Sequence, residues 1–173
     1  MRGMFPAVDK LVVAYRDRVQ PRMCGLPLYN AALRVEAVGF EAFNGRLCGV
    51  LVTPWCMNLL LLPGADDDWS TLASGKTVKV TYPAGDYHFT LSVPEGIDAH
   101  LSLPLFTTVQ AIADQHTACS IAIEVLRRLY EATGEQALAD PVETGLDHSG
   151  SRRPLSRREL LRGRLSAEDG YNA

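Results

Sequence analysis

The sequence is poor in the residues from which small proteins build metal sites and staples. Its 173 residues contain four cysteines and four histidines. Cys24, Cys48, Cys56 and Cys119 are widely spaced and form no Cys-x-x-Cys pair. That spacing argues against a zinc or iron–sulfur site made by this chain alone. Cys48, Cys56 and Cys119 lie in apolar runs, where a small buried thiol is the usual case, so a reduced cytoplasmic protein fits better than a disulfide framework. No apolar run reaches the 18 or so residues that a membrane span needs. The start, Met1-Arg2-Gly3-Met4-Phe5-Pro6, lacks the apolar core of a signal peptide, so neither export nor a membrane anchor is expected. Also missing are Gly-x-Ser-x-Gly, a phosphate loop, a dinucleotide fingerprint and His-Glu-x-x-His. An enzyme on this chain would need a site that only the fold brings together.

Charge is sparse and unevenly placed. The formal net charge is −3. Residues 150–173 hold six arginines against three carboxylates, a net of +3, which leaves −6 on residues 1–149. The organisation expected is one domain over 1–149 and an Arg-rich tail over 150–173. Opposite signs favour contact between the two, weakened by salt. An acidic body without a basic, aromatic-bearing sheet argues against nucleic acid as a partner.

What is present in quantity is aliphatic. Residues 47–52 and 57–62 are nearly continuous apolar runs separated by Thr53-Pro54-Trp55-Cys56. Runs this short suit strands buried on both faces, and Pro54, which has no N–H, requires a turn or bulge between them. Pro63-Gly64 ends the second run. Upstream, Val8, Leu11, Val12, Tyr15 and Val19 recur at helical spacing, so 6–20 reads as an amphipathic helix that opens on Pro6. Leu33, Val35 and Ala37 alternate with Arg34 and Glu36, and Asn44-Gly45 marks a hairpin, pairing 32–43 with 46–53.

Asp66-Asp67-Asp68 invites a metal, but it lacks the Gly and distal Glu of a calcium loop. A helical turn over 67–73 capped by Asp67 is expected there instead. A second hairpin joins 77–82 to 87–93 through Pro83-Ala84-Gly85-Asp86, with His88 on its water-facing side. Residues 101–103 make a short strand before Pro104. A helix over 109–132 follows, capped by Thr107 or Thr108 and closed by Gly134. Its expected buried stripe is Ile112, His116, Cys119, Ile123, Leu126 and Tyr130. The fold class is α+β, a mainly antiparallel sheet of five or six strands with two amphipathic helices packed on one face. Residues 134–150 read as a linker, and Ser156 with Glu159 has capping-box spacing for a short helix over 156–162.

Three blocks carry a resemblance. Thr53-Pro54-Trp55 with Met57-Asn58-Leu59 and Leu61-Leu62-Pro63-Gly64 is the first. Tyr82-Pro83-Ala84-Gly85-Asp86-Tyr87-His88-Phe89 is the second, and Ser156-Arg157-Arg158-Glu159-Leu160-Leu161-Arg162-Gly163 the third. Together they resemble the HybE family, assembly chaperones of NiFe hydrogenases. The resemblance implies a non-catalytic protein without cofactor, which binds the hydrogenase small-subunit precursor before export and guards its twin-arginine signal peptide and iron–sulfur clusters. A further hydrogenase accessory chaperone is a second partner it allows. Such a protein needs an apolar groove for the signal's leucines and carboxylates for its arginines. Trp55, Met57, Trp69 and Tyr87 are candidate anchors, each with core packing as the alternative reading. In the tail, Arg157, Arg158, Leu160 and Leu161 resemble the Ser-Arg-Arg-x-Phe-Leu-Lys pattern of a twin-arginine signal. They are read either as a solubilising extension or as a mimic of the client.

Overall fold

The computed structural model describes residues 5–131. In chain order these form α1 (Pro6–Ala14), a π-helical turn (Tyr15–Val19), α2 (Gln20–Met23), β1 (Glu36–Phe43), β2 (Arg46–Val52), β3 (Met57–Leu62), β4 (Thr77–Tyr82), β5 (Gly85–Ser92), β6 (His100–Phe106) and α3 (Gln115–Tyr130). The six strands make one sheet in the order β1-β2-β3-β6-β5-β4, antiparallel at every pairing. The architecture is α+β, as the two hairpin signals required. Asn44 (φ 49°) and Gly45 (φ 76°) supply the left-handed pair that a two-residue hairpin turn needs. The 149/150 boundary, the Gly134 cap and the helix expected over 156–162 lie outside the described residues.

The two helical layers are not on one face. Along β2 and β3, alternate residues serve two separate cores. Cys48, Val50, Val52, Met57, Leu59 and Leu61 face α3, together with Phe89, Leu91, Leu101 and Leu103. Leu51, Leu60 and Leu62 face the other way, onto Val8 and Leu11 of α1. The reason lies in the apolar runs themselves. A strand that is apolar at successive positions needs cover on both faces, and one helix layer covers one. On the α1 side the cover stops short of β4 and β5, where Lys79, Thr81, His88 and Thr90 meet water.

Three local expectations are corrected. The N-terminal helix runs on to Met23, with a π-helical turn that ends at Val19, two residues before Pro21. A helix-interior proline lacks its N–H and crowds the preceding turn, and the wider π turn accommodates both effects. The α3 helix begins at Gln115, capped by Asp114, whose Oδ1 accepts from Thr117 N at 2.7 Å. Residues 109–112 are held out of the helix by Asn30, which donates to the Val109 and Ile112 carbonyls at 3.0 and 2.8 Å. The buried stripe is Ala118, Ala122, Val125, Leu126 and Leu129, whereas His116 is exposed and Ile123 is 57% exposed. The two alanines let the helix approach the sheet closely, which the bulkier face would prevent. Finally, β6 extends through Pro104. Its pairing with β5 covers only 100–102, so the missing proline N–H breaks no ladder on that side.

Candidate functional site

The turn between β2 and β3 is tightly tied. Thr53 Oγ1 donates to the Cys56 carbonyl at 2.8 Å and accepts from Cys56 N at 3.0 Å and Trp55 N at 3.4 Å. Thr53 N also donates to Cys56 O at 3.0 Å, and the Pro54 carbonyl accepts from Asn30 N at 2.7 Å. This threonine thus does what a third strand residue cannot, satisfying a turn beside a proline from within. Trp55 points inward. It is 6% exposed, belongs to the α1-side core and stacks on Tyr29 with ring centroids 6.5 Å apart.

The segment between β3 and β4 is different. No helix forms over 67–73; the residues make a succession of turns. Asp67 is drawn instead to the β1–β2 hairpin, where Arg46 grips it through Nε and Nη2, each at 2.6 Å. Its Oδ2 also accepts from Gly64 N at 2.9 Å. These bonds stabilise the carboxylate and hold its pKa down at about 2. Gly64 lies so close to the Gly45 carbonyl that a side chain would not fit. The Arg46 guanidinium also lies over the Trp69 ring, 5.2 Å from its centroid, a cation–π contact. Trp69 is therefore fixed at the surface, half-buried, with one side on the α3-side core.

Beside Trp69 runs a groove. Its wider part, about 310 Å³, is walled by Pro63, Val93, Ile97 and Ala99 with Trp69, and carries Asp67, Asp68 and Asp98. A narrower hollow of about 70 Å³ continues it between Leu62-Pro63, residues 96–99 and the Ala7, Lys10, Leu11 and Ala14 side of α1. Val93, 39% exposed, presents its side chain to this groove. The three carboxylates differ in commitment. Asp67 is held by Arg46. Asp68 accepts from the Ser70 hydroxyl at 2.6 Å, and Asp98 pairs with Lys10 at 2.7 Å while both side chains are largely exposed, 71% and 68%. An ion pair that open contributes little to stability and exchanges readily. Apolar floor and exchangeable carboxylates are the two things a basic, leucine-bearing peptide needs.

Of the anchors expected from sequence, Trp69 lines this groove. Trp55, Met57 and Tyr87 are buried, Met57 completely and in the α3-side core. Arg157, Arg158, Leu160 and Leu161 lie outside the described residues. Sequence reasoning missed Val93, Ile97 and Asp98; the apolar ends of the Val93-Pro94-Glu95-Gly96-Ile97-Asp98 loop were the available signal. It also missed His100, which is fully buried between Tyr15 and the Asp98 carbonyl, with Nε2 3.1 Å from the Tyr15 hydroxyl and Nδ1 2.8 Å from the carbonyl oxygen. Burial disfavours the charged imidazolium and lowers its pKa, while burial pushes the Tyr15 phenol up to about 12. The pair joins the π-helical turn to the first residue of β6. Buried Cys48, 3.2 Å from the Tyr82 hydroxyl, likewise has its thiol pKa raised chiefly by burial. Among the described residues, no group of three or more His, Cys, Asp or Glu stands close enough to hold a metal, and no helix is long and apolar enough to cross a membrane.

Comparison with known proteins places this geometry. Residues 6–163 match the family described as NiFe-hydrogenase assembly, chaperone, HybE. The chain belongs to the HybE family. Hydrogenase expression/formation protein HupJ of Bradyrhizobium diazoefficiens is 38% identical over 165 residues, covering 94% of this chain and 90% of that protein. Hydrogenase expression/formation protein HoxT of Azotobacter vinelandii is 42% identical over 140 residues, covering 80% and 87%. The solution structure of HybE from Escherichia coli superimposes with a TM-score of 0.58 over 84% of this chain and 91% of that one, at 18% identity, so the fold itself is shared. The family match makes the chain a hydrogenase assembly chaperone of the HybE family, and relatives named for hydrogenase expression and formation stand beside it.

Proposed function

We propose that this HybE-family chain is a non-catalytic chaperone of the NiFe-hydrogenase small-subunit precursor, acting in the cytoplasm before export, and that its groove receives the precursor's twin-arginine signal segment. The observation that carries the reading is the groove, in a chain of this family. Trp69, Val93 and Ile97 offer an apolar floor for leucines, and Asp68 and Asp98 stand at its rim for guanidinium groups. An arginine fork pairs with a carboxylate more strongly than the lysine now at Asp98, because it makes two parallel bonds. Trp55, Met57 and Tyr87 then act from behind, as packing that holds the strands bearing the groove. The signal segment and the cluster-bearing body of the subunit are separate contacts, and a further accessory chaperone would bind elsewhere.

The test is calorimetry of the full-length protein with a synthetic twin-arginine signal peptide, run beside a variant carrying Asp68→Asn and Asp98→Asn. Binding should be measurable for the first and at least about tenfold weaker for the second, the loss of roughly 1.4 kcal/mol of charge-assisted contact. Failure of the protein to bind either this peptide or the unprocessed small subunit would remove the proposal.

A further inference from the structure

Resting on that reading of the groove, we propose that the chain's own residues 155–165 dock there when no client is bound. The segment Leu155-Ser156-Arg157-Arg158-Glu159-Leu160-Leu161-Arg162-Gly163-Arg164-Leu165 carries four arginines against one glutamate. It thus presents the charge opposite to Asp68 and Asp98, the two rim carboxylates not gripped by Arg46. Its four leucines match a floor built from Pro63, Trp69, Val93 and Ile97. Its order of residues, two arginines followed by an apolar pair and a further cation, is also that of the peptide the groove is proposed to bind.

Reach permits the contact. The described chain ends at Glu131, one residue past α3. There the Tyr130 ring lies 5.7 Å from Phe43, Phe43 is the cross-strand partner of Arg46, and Arg46 covers Trp69. Two side-chain contacts and one cross-strand pair therefore link the helix end to the groove wall. Residues 132–154 separate Glu131 from Leu155, 23 residues whose reach is at most roughly 80 Å. A tether of that length holds a segment at about 1 mM near its own body. A contact with a dissociation constant of order 0.1 mM would then be about ten parts in eleven closed, and an incoming peptide would bind about tenfold more weakly than to the open groove.

Hydrogen–deuterium exchange on the full-length protein tests this without any hydrogenase component, so its outcome is independent of the client's identity. The comparison is wild type against a variant with Arg157→Ala, Arg158→Ala, Leu160→Ser and Leu161→Ser. Amides of 63–70 and 93–99 should exchange about tenfold faster in the variant, with β2 and β3 unchanged. Adding a peptide of residues 153–165 to the variant should restore their protection. Unchanged loop exchange overturns the proposal. Protection in the wild type that disappears on dilution overturns it too, since the tail would then belong to a second copy. If exchange rises everywhere, the added peptide decides: restored loop protection supports docking and its absence refutes it.

Discussion

Two turns flank β3, and each carries one of the molecule's two tryptophans. Before β3, residues 53–56 close on themselves through Thr53, and Trp55 goes into the core against Tyr29. After β3, residues 63–76 form only isolated turns; the Arg46–Asp67 pair anchors their middle, Gly75 N and the Lys76 carbonyl bond Leu91 of β5 at their end, and Trp69 stays at the surface against a guanidinium. The same side chain is a keystone in one place and part of an open wall in the other. What separates them is where the backbone's polar groups find partners. The first turn satisfies most of its own through Thr53, with Asn30 N taking the Pro54 carbonyl, so its side chains are free to pack. The second leans on two neighbouring hairpins, through Arg46 of the first and Leu91 of the second, which leaves a groove beside it.

The comparison is broken most severely at the buried indole. Trp55→Ala should cost about 3–5 kcal/mol and lower the melting temperature by roughly 10 °C or more in a thermal scan, because it opens a cavity beneath α1. A melting temperature within a degree or two of wild type would show that the corner is no keystone. Thr53→Val keeps the shape of the side chain and removes its hydroxyl. Leaving Cys56 N and Trp55 N without that acceptor should cost about 1–3 kcal/mol in a urea titration.

Acid sharpens the contrast, because the second turn hangs on charge. Asp67 and Glu124 are both held at about 2, by Arg46 and by Arg127 with Arg128 respectively. A depressed carboxylate pKa adds stability above the unfolded value, near 4, and that stability is lost as pH falls towards 2. His100 acts in a higher window with the same sense. Its lowered pKa means that the unfolded chain takes up a proton first, so stability should begin to fall below about pH 6.5. Melting temperatures measured from pH 7 down to pH 2 should therefore decline in two stages. Asp67→Asn should make the lower stage shallower, Glu124 keeping its share, and leave the upper one; a single unaltered decline would contradict the assignment.

The smallest expected effect on stability is at the open wall. Trp69→Ala should cost no more than about 1–2 kcal/mol, since its ring is half in solvent and a surface cation–π contact adds only a fraction of that. It should still weaken signal-peptide binding several-fold, which is the reverse of the Trp55 result.

Much of this fold was legible because its determinants are local. Asn44-Gly45 specified one hairpin and Pro83-Ala84-Gly85 the other, and Thr53-Pro54 marked the break between two buried strands. The placement of helices was harder, although the continuous runs 47–52 and 57–62 already required cover on two faces. Alternation tells which residues share a face and not which helix arrives there. The stripe of α3 was displaced because Ala118 and Ala122, small and weakly apolar, decide how closely the helix docks. The groove was the least legible. Lys10 and Asp98 are 88 residues apart, and Arg46 and Asp67 are 21 apart. No periodicity links such pairs, and Asp67 looks the same in sequence whether it caps a helix or binds an arginine.

The most direct measurement is an NMR titration of the nitrogen-15-labelled protein with a twin-arginine signal peptide, read at the two indole N–H signals. The expected result is that the Trp69 signal shifts in step with the amides of 63–70 and 93–99, while the Trp55 signal stays in place. A shift at Trp55 with Trp69 unmoved would contradict the placement of the client site in this groove.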